Sequence, residues 1–203
     1  MSTVIETFAD LRFWFRERLE SALDRHRIEA PDETRAYLVE LLAGMGLGRR
    51  RAPGQRPLAL QLKDAREAQG IERLRLYRAL GDDALCLAGF FRDHLEQRGV
   101  SAGYVHTMGG GAYESAGVLA VQSAHEAVRI EVYRDLSRRF TTFAELLEEV
   151  RESTTLRTPQ DIVKLYDRWR RTGSPRLAER LTREGVYPTR GSGGEGSGGS
   201  TLH

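Results

Sequence analysis

Apolar residues recur at gaps of three or four along most of the chain, the spacing of helices that bury one face. Val4, Phe8, Leu11, Phe15, Leu19 and Ala22 form the first such stripe and predict a helix over about 4–28. Thr3 at the N-cap and Glu6 three residues later have capping-box spacing. Trp14 widens the stripe. Phe13 falls about 170° from its centre, among Glu6, Asp10, Glu17 and Glu20.

Pro31 and Asp32 open a second helix through Leu38, Leu41 and Leu42, ended by the glycines at 44, 46 and 48. The stretch GRRRAPGQRP reads as a loop, and Pro57 suits the first turn of a helix over 58–68. Gly70 separates that helix from one over 71–80. Gly81-Asp82 predicts a break with a fresh N-cap, followed by an apolar helix over 82–97. Ser101 caps a short helix to Met108, and Gly109, Gly110 and Gly111 interrupt it. A long helix is then expected over 112–138, with Val118, Val121, Val128 and Val132 on one apolar stripe and Leu119 and Ile130 on other sides. A helix apolar nearly all round packs in the middle of its neighbours. Three short helices follow, opened by Thr142 with Glu145, by Thr158-Pro159 and by Ser174-Pro175, with Gly185 as a terminator.

The expected fold is all-α: a single globular domain of about eight helices over 1–190, built around a central helix near 112–138. Residues 191–203, GSGGEGSGGSTLH, form a flexible Gly/Ser-rich tail. The composition, 40% hydrophobic and 30% charged, is that of a globular chain. One cysteine, Cys86, rules out an intramolecular disulfide and a four-cysteine zinc site. The start, MSTVIETFAD, lacks the basic and apolar regions of a secretory signal, and no apolar run reaches the roughly 18 residues of a membrane span. A cytoplasmic location is therefore expected. The net charge of +2 argues against a generally basic nucleic-acid binder.

Three segments resemble a group of bacterial proteins that has no assigned activity. They are Gly81-Asp82…Leu85…Gly89-Phe90-Phe91, Met108-Gly109…Ala112-Tyr113, and Leu165-Tyr166-Asp167-Arg168-Trp169…Thr172-Gly173-Ser174. The resemblance spans most of 30–188. It implies a bacterial origin and one continuous domain, and it transfers no catalytic residue.

Candidate chemistry is sparse. The glycines at 109–111 lack the strand and the Gly-Lys-Ser/Thr ending of a phosphate loop. Glu114 and His125 share a helical face but stand about 16 Å apart along it, too far for one ion. His106 and Met108 suggest no haem site on their own, and neither a metal nor a cofactor is expected. Cys86 lies between leucines, as inert core cysteines do. Tyr104, His106, Tyr113, Glu114 and His125 would line a pocket if the chain is an enzyme or a small-ligand binder. Arg49, Arg50 and Arg51, with Arg168, Arg170 and Arg171 flanking Trp169, are the candidates for nucleic acid. Phe13, near Trp14, is the candidate protein contact. The favoured function is a non-enzymatic binding or regulatory module acting through a protein partner or self-association.

Overall fold

The computed structural model describes residues 2–46, 53–91, 95, 99–123, 126–152, 159–184 and 186–187, with backbone alone at 2–10, 46, 159–161, 171 and 176. The arginine loop at 49–51, His125, Gly185 and the 191–203 tail lie outside the described residues. Among the described residues the regular structure is entirely helical. The helices are α1 (Ser2–His26), α2 (Asp32–Gly46), α3 (Leu58–Glu67), α4 (Gly70–Phe90) and α5 (Ala102–Ala120). A 3₁₀ turn (Ala127–Arg129) leads to α6 (Ile130–Arg138), α7 (Phe140–Glu152), α8 (Pro159–Thr172) and α9 (Pro175–Arg183). None of the described helices is long and apolar enough to cross a membrane.

The described part of the α1 stripe folds as its spacing predicts: Leu11, Phe15, Leu19 and Ala22 are buried, while the side chains of Val4 and Phe8 lie outside the described ones. Leu23 and Trp14 are buried as well, and Phe13 is 60% exposed. Arg27 stops the helix in the left-handed conformation, φ 53°, and the Ile28 N–H donates back to the Leu23 carbonyl at 2.9 Å. That is the wrapped C-terminus usually built on glycine. Ser101 caps α5, its hydroxyl accepting from the Tyr104 N–H at 3.2 Å. Pro159 and Pro175 begin their helices where proline's missing N–H costs nothing. Thr142, by contrast, is not an N-cap, because α7 already starts at Phe140.

Two predicted breaks are absent. α4 runs through Gly81, and α5 runs through Gly109, Gly110 and Gly111. These glycines cost helix propensity, up to about 1 kcal/mol each, but two of them let side chains approach closely. A Cβ on Gly81 would lie 2.9 Å from the Tyr113 ring, and one on Gly109 would overlap the Phe140 ring. The close approach fixes α4, α5 and α7 against one another.

The helix expected over 112–138 is two helices. The Ser123 carbonyl accepts from the N–H groups of Glu126 (3.1 Å) and Ala127 (2.9 Å), turning the chain. α6 then packs antiparallel on α5, with Gly117 facing Tyr133 and Gly110 facing Ser137. Only Val132 of the predicted valine stripe is core. The central helix is instead α4, buried from Leu80 to Phe90 on nearly every side except at Asp83 and packed on α3, α5 and α7. α1 and α2 pair beside it, α8 lies on α2, and α9 lies on α8. The Trp14 indole and the Arg18 guanidinium (2.9 Å) both donate to the Glu184 carbonyl, tying the first helix to the end of the last.

Candidate functional site

Asp82 is an acid in the most buried part of the molecule, 2% exposed on α4. An unpartnered carboxylate there would be very costly. Two phenols meet it: Tyr37 of α2 and Tyr113 of α5 donate to its Oδ1 at 2.6 and 2.8 Å. The rings of Tyr37, Tyr113 and Tyr133 sit 6.1–6.5 Å apart, so the polar contact is embedded in an aromatic cluster. Tyr133 donates in turn to Glu126 at 2.8 Å, and Arg129 (3.2 Å) and Arg78 (3.6 Å) face the same carboxylate. On the far side of α6, Asp135 takes the Arg139 fork at 2.6 Å and the hydroxyl of fully buried Thr34 at 3.0 Å.

These surroundings move the titrations in opposite directions. Burial, and then the charge of Asp82, pushes Tyr113 well above the ordinary phenol range. Burial and the Glu126 contact push Tyr133 up to about 12. Burial alone would raise Glu126, but the Tyr133 hydroxyl with Arg129 and Arg78 outweighs it and lowers the carboxyl. Both phenols are therefore protonated donors that hold the network together. In the unfolded chain tyrosine ionises near pH 10, before folded Tyr133 does. Its contribution to stability is present below about pH 10 and is lost as pH rises through about 12. The melting temperature should fall across that window, and less steeply in Tyr133→Phe, which has no proton to lose. Equal slopes for the two proteins would contradict the assignment.

Asp82 also reaches a cavity of about 360 Å³ between α2, α3 and α4. Leu41, Met45, Leu76, Ala79 and Cys86 form its apolar walls. Its polar lining is Arg56, Gln61, Asp64, Asp82 and Asp83. Arg56 pairs with Asp64 at 2.6 Å, and the Gln61 amide donates to Asp83 at 2.9 Å. Among the described residues no group of three or more His, Cys, Asp or Glu is placed to hold a metal ion.

The second concave region lies at the C-terminal end of α5. One groove, of about 470 Å³, is lined by Glu114, Gly117, Val118, Val121, Arg134 and Arg138 among others. A larger one, about 920 Å³, runs past Ile71, Arg73, Arg75, Leu119 and Glu126. Gln122 lines both, so the two adjoin.

The residues singled out from sequence do not converge. Tyr113 is fully buried against Asp82, while Tyr104 is 42% exposed on the same helix. His106 is half-buried, lies 3.1 Å from the Thr141 hydroxyl, and lines a separate cavity of about 240 Å³. Glu114 is exposed and lines the Val118 groove, and His125 is outside the described residues. Trp14 is a core residue and not a surface anchor, because the α1 stripe is wide enough to take it inward. Trp169 is buried too, 5% exposed and packed on Tyr166 at 5.5 Å between ring centres, so it offers no face to a base. Arg168 and Arg170 are exposed on α8, and Arg171 lies on that helix with only its backbone described. Sequence reasoning missed the Asp64–Asp82–Asp83 cavity. An acidic pair inside the apolar run from Leu80 to Phe90 was the available signal. No family model, curated protein or solved structure matches this chain.

Proposed function

We propose that the protein is a non-enzymatic binding module that acts through protein contacts, with a partner docking at the C-terminal end of α5. One observation carries the reading: Val118, Val121 and Val128 are 65%, 62% and 78% exposed. Single exposed apolar residues are ordinary. Here, though, Val118 and Val121 line one groove while Ile71 and Leu119 line the adjoining one. Contiguous apolar surface with a polar rim is favoured at protein contact sites. Arginines dominate this rim: Arg73, Arg75, Arg134 and Arg138, against Glu114 and Glu126. Glu126 is already engaged by Tyr133, Arg129 and Arg78, as Arg75 is by Glu72 (3.8 Å) and Arg134 by Glu131 (2.7 Å), the last two being exposed pairs that contribute little and that a partner's carboxylates can replace. The partner such a surface fits presents aliphatic anchors with acidic flanks, as one face of an amphipathic helix does. Phe13, exposed on α1, supplies a second apolar contact.

Panning a library of random peptides displayed on phage tests this directly. Wild-type protein should enrich aliphatic sequences flanked by Asp and Glu, and Val118→Asp/Val121→Asp should lose that enrichment. A consensus that survives the double substitution, or none at all, would contradict the proposal.

A further inference from the structure

Arg73, on the rim of the grooves, carries a charge that nothing in the described fold answers. We propose that it takes a single carboxylate side chain of the docked partner and so sets the partner's register on the aliphatic surface, an inference that rests on the protein-contact reading. Among the described residues, Arg12, Arg56 and Arg73 each bury an Nε that has no hydrogen-bond partner. Arg12 nevertheless pairs with Glu40 and Arg56 with Asp64, each at 2.6 Å. Arg73 is half-buried on α4 and has no ion pair or side-chain hydrogen bond among the described residues. Its guanidinium carbon stands 5.8 Å from the centre of the Tyr77 ring. A partly desolvated cation without an anion is an unfavourable arrangement that a bound carboxylate relieves.

The groove of about 920 Å³ that Arg73 lines does not supply that carboxylate. Glu126 belongs to the same lining, but Tyr133, Arg129 and Arg78 hold it. Arg75 also lines the groove, and Glu72 at 3.8 Å answers its charge. The one positive charge left over matches a carboxylate better than a phosphate, which carries nearly two negative charges in a groove that Glu126 also lines. The buried Tyr77 ring holds the planar fork in place. A fork fixed in advance loses little freedom when a carboxylate docks on it. Ile71 and Leu119 share the lining with Arg73, and Gln122 continues it into the groove of Val118 and Val121. A helix laid along this surface therefore presents its aliphatic side chains to the valines and one acid to Arg73. Aliphatic contacts accept many side chains, so the charged pair is what fixes the register.

Random peptides displayed on phage and selected on the full chain are the probe. Enriched sequences should carry one Asp or Glu at a fixed spacing from their aliphatic residues. The most enriched peptide is then made synthetically and its binding followed by fluorescence anisotropy. Changing its acid to the amide should weaken binding to wild type about tenfold or more, the scale of a charge-assisted pair. On Arg73→Met the acid and amide forms should bind alike, whereas on Arg75→Met the preference should persist. Arg73→Met should unfold in urea at the wild-type midpoint or above it, because it removes an orphaned donor and keeps a side chain over Tyr77. Aliphatic enrichment with no fixed acid would overturn this inference and leave the docking surface standing; no enrichment would overturn both. An acid preference that survives Arg73→Met, a phosphoserine peptide that outbinds the carboxylate one, or a lowered midpoint for Arg73→Met would also overturn it.

Discussion

Phe15→Ala is expected to lose about 3–5 kcal/mol of stability, while Phe13→Ala, two positions away, should change it by less than about 0.5 kcal/mol. Phe15 is fully buried in the α1 stripe, with its ring edge-on to Trp14 at 4.8 Å between centres. Removing it leaves a void among the buried side chains of α1 and its neighbours. Phe13 is 60% exposed on the other side of the same helix and loses only solvent-facing surface. Urea unfolding of both variants checks the contrast. Equal losses would mean that α1 is rotated from the orientation described.

Asp82→Ala should cost about 3 kcal/mol or more, because it leaves the Tyr37 and Tyr113 hydroxyls in the core without their acceptor. Arg78, whose charged form Tyr37 and Asp82 help to hold against the effect of burial, loses a favourable neighbour as well. Asp82→Asn should be milder, since an amide oxygen can still accept from both phenols. Adding Tyr37→Phe and Tyr113→Phe to Asp82→Ala should recover part of the loss, as removing both sides of a buried hydrogen bond can be nearly neutral. A loss below about 1 kcal/mol for Asp82→Ala would show that the network does not hold α2 and α5 on α4.

Helix content was legible wherever local chemistry decides it. The α1 stripe, the Ser101 cap, and the proline starts at 159 and 175 are all written within a few residues of one another. The failures occur where a distant residue decides. Gly81 and Gly109 resemble helix stops because the sequence displays the missing Cβ but not the Tyr113 and Phe140 rings that need the space. The valine spacing stays helical from 118 to 132, yet the Ser123 turn and the packing of Tyr133 against Gly117 fold the chain back before the stripe can form. Gly81-Asp82 reads as a helix start for the same reason: nothing nearby in the chain announces Tyr37 or Tyr113, the partners of Asp82. The cavity itself exists only once α3 packs on α4 and brings Asp64 alongside Asp82 and Asp83. Exposure of Phe13 was readable because it depends on the angular position of one residue on one helix.

The docking proposal depends on Val118 and Val121 contributing surface to a partner and nothing to the fold. The most direct measurement is the urea unfolding free energy of Val118→Asp/Val121→Asp against wild type, read as midpoint and slope together. Side chains 65% and 62% exposed should tolerate two carboxylates with a change of less than about 1 kcal/mol and an unaltered slope. A loss of several kcal/mol would place the two valines in the core, as a continuous 112–138 helix would, and the docking surface would not exist.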